Sequence, residues 1–182
     1  MLHDRELLDR LTALSPIEFE GEVFRATRRG LDPLAPSLSG GRWMVRNGAP
    51  TLYTSAERDG ALAEIVYYWS QLTPQPSKPV MLHRLRLSTR KTIRLAQADL
   101  TDLGLEWGRY EEHDYTLTQA IGAAVAHLEY DGLIAPSARW SCDNIMVFSG
   151  NSQGDDDMAF VINSEEVDWL TWAKTHGVAP SS

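Results

Sequence analysis

TLYTSAERDGALAEIVYYWSQL, residues 51–72, passes from strand to helix within a few positions. Residues 51–54 read as a short strand from their β-branched and aromatic content. Residues 56–72 place Ala61, Leu62, Ile65, Val66 and Trp69 on one helical face, so a helix follows at once. Working outward, GEVFRAT at residues 21–27 alternates like a strand, and residues 28–41 form a loop rich in Gly, Pro and Ser. Residues 80–87 and 92–95 read as two further strands, joined to the first helix by a turn with prolines at 74, 76 and 79. Residues 116–130 supply a second helix, with Ala120, Ala123, Ala124, His127 and Leu128 close in projection and Gly132 placed to end it. Strands at 133–135, 144–148 and 159–163 follow, then a helical stretch at 167–175. An N-terminal amphipathic helix spans 4–14, with Asp4 as N-cap and Pro16 as a stop. The acidic run at 155–157 reads as a solvated turn. Strands and helices intermingle without a βαβ rhythm, which favours an α+β fold over a doubly wound parallel sheet.

The chain has 182 residues, a length that favours a single domain over residues 1–182. Its 43% hydrophobic and 23% charged residues exclude a disordered or coiled-coil chain. Lys plus Arg number 17 against 25 Asp plus Glu, and the net charge of −8 is the wrong sign for direct nucleic-acid binding through phosphate neutralisation. One cysteine, Cys142, cannot make an internal disulfide, and no His/Cys spacing suggests a metal site. Charged residues interrupt the N-terminal apolar positions, unlike a signal peptide, and no run is long enough to cross a bilayer. A cytoplasmic protein without membrane attachment is expected.

Two groups of residues could carry chemistry. The first is Gly40-Gly41-Arg42-Trp43 with Tyr53 and Glu64. Gly41 permits close backbone approach to a ligand, and the Arg42 fork suits phosphate or carboxylate oxygens. The competing reading is a tight turn with an exposed arginine and a core tryptophan. Glu64 stands among Ala61, Leu62, Ala63, Ile65 and Val66, where a carboxylate needs a partner. It is either an ion-pair partner for Arg25 or Arg42, or a carboxylate placed to stabilise positive charge on a sugar. Tyr53 is either a core aromatic or a stacking platform. The second group is DGLIAPS at residues 131–137, with Asn144. Ser137 could present its hydroxyl at a sheet rim, or form an ordinary turn, and no G-x-S-x-G elbow surrounds it. Each of the five histidines, and Cys142, reads as structural or as a surface residue.

In order and spacing, VFRAT, GGRW, NGAPTLYTS, ALAEIVYYW, YDGLIAPSA and DNIMVF resemble the RES domain family, the toxins of RES–Xre toxin–antitoxin systems. The resemblance runs over roughly residues 20–165 and leaves the N-terminal helix outside. The Arg, Glu and Ser of the family's name map onto Arg42, Glu64 and Ser137, and Arg25 and Tyr53 also fall on family positions. After Asn144 the sequence departs from the family, with Phe148, Ser149 and Gly150 where an Asn-Pro pair and a His are usual. The resemblance implies a fold like that of diphtheria-toxin-type ADP-ribosyltransferases and an enzyme that degrades NAD by cleaving the nicotinamide–ribose bond. It implies Glu64, Arg42 and Ser137 as catalytic residues, with Arg25, Tyr53, Gly41 and Asn144 binding NAD, which is substrate rather than cofactor. No metal is implied. The implied partner is an Xre-type DNA-binding antitoxin, with a homodimer within that complex. Transfer of ADP-ribose to a protein is the closest alternative. A catalytically inactive antitoxin-binding module is a rival that the joint presence of Arg42, Tyr53 and Glu64 argues against. The acidic charge disfavours a nuclease toxin.

Overall fold

The longest strand closes the sheet. A computed structural model describes residues 4–151 and 158–178. In it β1 (Ile17–Thr27) pairs antiparallel with β3 (Val80–Arg94) from Ile17 opposite Thr92 to Thr27 opposite Met81. The other edge of β3 is shared in succession. Its first half pairs antiparallel with β6 (Ala159–Val167), and Thr92 to Arg94 pair parallel with β4 (Gly132–Pro136). From β4 the ladder continues to β5 (Asp143–Phe148), to β2 (Thr51–Ser55) and, at Phe24 opposite Ser55, back to β1. Five strands therefore form a barrel-like ring, with β6 appended to β3.

Alternation along the strands sorts the side chains into three apolar layers. Val23, Leu52, Leu85, Leu87, Ile134, Ile145 and Val147 fill the space inside the ring. Phe24, Ala26, Val80 and Leu82, on the opposite faces of β1 and β3, pack beneath α2 (Arg58–Ser70) and α5 (Trp169–Thr175). Leu133, Ala135, Met146 and Phe148 lie in a third layer with Trp43, Leu100, Ile121 and Val125, covered by α3 (Gln97–Asp102) and α4 (Thr116–His127). The N-terminal helix α1 (Arg5–Thr12) adds the fully buried Leu11 to this layer, and Arg10 Nη1 donates to the Asp102 carbonyl at 2.6 Å. Asp4 caps α1 by accepting from the Glu6 amide.

The α+β class read from the sequence holds, and several element boundaries differ from the reading. Residues 80–87 and 92–94 belong to one continuous strand, because polar Ser88 and Thr89 keep pairing with β1 and the ladder resumes at Thr92 after an irregularity at Arg90 and Lys91. β1 begins at Ile17, since Glu18, Glu20 and Glu22 alternate with Phe19, Gly21 and Val23. β6 runs on to Val167, and the helix after it starts only at Trp169, capped by Asp168. Gly132 does not end the second helix. That helix ends at His127, Glu129 takes the positive φ of 60° and Gly132 opens β4. Gly132 is needed there for space, because a Cβ would stand 2.4 Å from the Thr92 hydroxyl. α3 and the 3-10 turns at Trp107–Arg109 and Ser149–Asn151 are additional elements that short, weakly periodic stretches concealed. The acidic run at 155–157 and His3 lie outside the described residues. No helix among the described residues is long and apolar enough to cross a membrane.

One close approach fixes the GGRW loop. A Cβ at Gly122 of α4 would stand 1.7 Å from the Trp43 carbonyl oxygen, so the helix backbone lies directly against the loop. Gly122→Ala must therefore separate the loop from α4. The expected loss exceeds the roughly 1–3 kcal/mol of ordinary core overpacking. Thermal unfolding checks this, and an unchanged melting temperature would show that the contact is not tight.

Candidate active site

α2 carries Glu64 to the rim where β4 and β5 meet. Glu64 Oε1 accepts two hydrogen bonds, from Ser137 Oγ at 2.8 Å and from Asn144 Nδ2 at 2.7 Å. Both donors are themselves held. Ser137 follows the last residue of β4, and its Oγ accepts from the Arg139 and Trp140 amides at 3.1 and 3.2 Å. Asn144 lies on β5 opposite Ser55, whose hydroxyl donates to Asn144 Oδ1 at 2.6 Å. Every polar group in this chain thus has a fixed orientation. Among the described residues no donor engages Glu64 Oε2, and no cation pairs with the carboxylate. The ion-pair reading of Glu64 fails on these contacts.

Arg42 and Arg25 are engaged elsewhere. Arg42 Nη1 donates to the Tyr110 carbonyl at 2.6 Å, and its guanidinium lies 4.9 Å from the Tyr110 ring and 4.5 Å from that of Tyr115. Tyr110 is buried, and its hydroxyl donates to the carbonyl of Pro136, next to Ser137, at 2.6 Å. It therefore links the GGRW loop to the serine. Burial raises the Tyr110 pKa, which Arg42 opposes, Glu64 reinforces, Arg139 opposes and Asp143 reinforces. Arg25 lies on the face of β1 opposite Phe24 and Ala26. Its Nη1 donates to the carbonyls of Pro33 and Ala35 at 2.8 and 2.9 Å, which pins the loop at 28–41. Burial lowers its pKa, offset in part by Asp32. Across the ladder from Arg25, buried His83 bonds Thr27 and Ser164. Burial, with Arg25 nearby, lowers its pKa and keeps it neutral at pH 7.

Tyr53 lies under the glycines. A Cβ on Gly41 would stand 3.0 Å from the Tyr53 hydroxyl, so glycine lets the loop rest on the ring. That hydroxyl is buried without a partner in bonding geometry, and burial raises its pKa against the opposing influence of the Trp43 and Met44 backbone. The Gly41 carbonyl accepts from Gln119 Nε2 of α4 at 2.9 Å. Burial pushes the Cys142 thiol up to about 11, so it is a poor nucleophile at neutral pH. Among the described residues no three His, Cys, Asp or Glu side chains converge as a metal site.

The structure adds residues that the sequence reading passed over. Tyr67, one turn beyond Glu64 on α2, stacks on His113 and bonds its Nε2 at 2.6 Å. Arg139 lies over the Tyr67 ring, 3.4 Å from its centroid. Through the His113–Tyr115 contact and the guanidinium of Arg42 over Tyr110 and Tyr115, they join a cluster of aromatic rings and guanidinium groups. The helical offset from Glu64 to Tyr67 was a readable signal. Tyr110 and His113 sit in an irregular stretch with no periodicity to mark them.

A sequence-family model described as the RES domain matches residues 20–170. The chain belongs to the RES domain family. α1 precedes the matched region, and in this family member it serves as a cover for the α3–α4 layer. No curated protein matches the sequence. Among solved structures, a chain in the crystal structure of the M. tuberculosis MbcT–MbcA toxin–antitoxin complex superposes with a TM-score of 0.80 at 19% identity, over 96% of this chain and 98% of that one. At that identity the likeness establishes the fold.

The contacts of Asn144 generate a pH-dependent prediction. Asn144→Asp would set a second carboxylate against Glu64 Oε1. Like charge raises the pKa of the pair in the folded state above its unfolded value. The folded variant then binds a proton more tightly than the unfolded chain, so its stability deficit is smallest in acid and grows as pH rises through the raised value. Melting curves of variant and wild type at pH 5 and 8 check the sign; a gap independent of pH would contradict the contact.

Proposed function

We propose that this RES domain is an enzyme that cleaves the bond between nicotinamide and ribose in NAD, on a fold of the ADP-ribosyltransferase kind. The observation that carries the reading is the state of Glu64. One oxygen is held by two neutral donors and, among the described residues, the other has no donor and no cation pairs with the carboxylate. A carboxylate fixed in that way stabilises positive charge that develops in front of it. In the reaction the C1′–N bond breaks, its electron pair leaves with nicotinamide, and an oxocarbenium-like ribose forms. Water then adds to C1′ and loses a proton, giving ADP-ribose; inorganic phosphate adds in the same way if it is the acceptor. The leaving nitrogen is already cationic in NAD, so no strong general acid is required.

Ser137 and Asn144 orient Glu64, Tyr110 holds the serine end of β4, and Arg42 on the glycine loop offers donors to the pyrophosphate. Tyr53 supports that loop from below and borders the nicotinamide pocket. Arg25 shapes the 28–41 loop, and its donors not used on Pro33 and Ala35 can add to phosphate binding. The toxin–antitoxin complex among the structural neighbours supports assigning the chain a toxin role. We assign it a cytoplasmic setting and an Xre-type DNA-binding antitoxin, with a dimer of the toxin inside the complex.

Glu64→Gln is the decisive variant because it preserves the orienting bonds. The amide oxygen can accept from Ser137 and Asn144 as Oε1 does, while the amide nitrogen replaces the open oxygen and removes the charge. Nicotinamide release from NAD should fall about a hundredfold or more with the melting temperature little changed. Product masses in water and in phosphate buffer identify the acceptor. Turnover close to wild type would remove Glu64 from the chemistry.

A further inference from the structure

Arg139, two residues beyond Ser137, carries a guanidinium with no ion-pair partner among the described residues. Its Nη2 is buried and has no hydrogen-bond partner. The rest of its surroundings explain how the group is held but not what it is for. The backbone is fixed because the Arg139 amide donates to Ser137 Oγ at 3.1 Å, the same oxygen that donates to Glu64. The guanidinium is fixed because it stacks on Tyr67 at 3.4 Å, and Tyr67 is in turn anchored by His113. No carboxylate forms an ion pair with it among the described residues; the nearby Asp143 is paired with Arg94.

A buried guanidinium nitrogen without an acceptor is costly and calls for a specific reason, of which a bound anion is one. A guanidinium preorganised on an aromatic face, with donors to spare, is suited to the planar two-point recognition of a phosphate. We infer that Arg139 is a binding residue for the pyrophosphate of the dinucleotide, acting from the Ser137 side of Glu64 while Arg42 acts from the glycine loop. This rests on the proposed function for the identity of the ligand. Two guanidinium groups on separate loops would hold the phosphates on both flanks and leave the ribose facing the open oxygen of Glu64. The same arrangement disfavours substrates that lack phosphates.

The test compares binding of ADP-ribose with binding of adenosine, which carries the same base and no phosphate, in wild type, Arg139→Met and Arg139→Lys. Met preserves a long stem over Tyr67, so the fold is retained and melting curves verify it. The expected result is a rise of about tenfold or more in the Kd for ADP-ribose in Arg139→Met, an unchanged Kd for adenosine, and partial recovery with Lys. In turnover the loss should appear in KM for NAD, with kcat within a few-fold. An ADP-ribose Kd within twofold of wild type in Arg139→Met would overturn the inference. So would equal weakening of both ligands, which marks a merely structural role, or wild-type protein that fails to bind ADP-ribose. Loss of phosphate-dependent binding in a protein that releases no nicotinamide would instead refute the cleavage reading and leave Arg139 in place.

Discussion

Two neutral hydrogen bonds to one oxygen of Glu64 hold the site together, and most of the architecture serves to bring their donors to that oxygen. Ser137 ends one strand, Asn144 belongs to the next and Glu64 lies on a helix that follows a third. A half-buried carboxylate must be satisfied; others in this chain take a cation, as in Arg94 with Asp143 or Arg58 with Glu165, while buried Asp131 accepts from the Arg90 and Lys91 amides. Here the solution uses dipoles. The bonds fix the orientation of the carboxylate without cancelling its charge, and an enzyme that must stabilise a cation needs that combination.

The barrel-like closure explains why the donors are adjacent. β4 and β5 form an antiparallel pair ending at Pro136 opposite Asp143, and the Ser137 amide closes the turn on the Cys142 carbonyl at 2.8 Å. β2 lies on the other side of β5, so Ser55 faces Asn144, and α2 begins a few residues after β2. β3 makes this possible by lending its end to β4 while its body pairs with β1. The GGRW loop reaches the same rim through a separate restraint, the contact of Gly122 with Trp43, and Tyr110 joins the two by bonding Arg42 with its carbonyl and Pro136 with its hydroxyl.

Much of this was legible in the sequence. The α2 stripe, the α4 stripe and the short apolar strands announced themselves by period, and Glu64 stood out as a charge in an apolar stripe. The motif order pointed to the family and to Arg42, Glu64 and Ser137. The polar middle of β3 was hidden because Ser88 and Thr89 keep their strand pairing, and Arg90 and Lys91 bridge an irregularity in it, without an apolar alternation. The contest between an ion pair and an open carboxylate at Glu64 was also undecidable from spacing, since it depends on where Arg25 and Arg42 turn. Arg25 turns to the carbonyls of Pro33 and Ala35, an interaction with backbone that no residue pattern encodes. Arg139 and Tyr67 form a stack between a turn and a helix far apart in the chain, and only the closed sheet brings them together.

The most direct test is a crystal structure of the Glu64→Gln protein with NAD bound. C1′ of the nicotinamide ribose should lie against the side-chain position left open by Ser137 and Asn144, with the pyrophosphate held by arginine. A dinucleotide seated elsewhere, or a ribose turned away from residue 64, would contradict it.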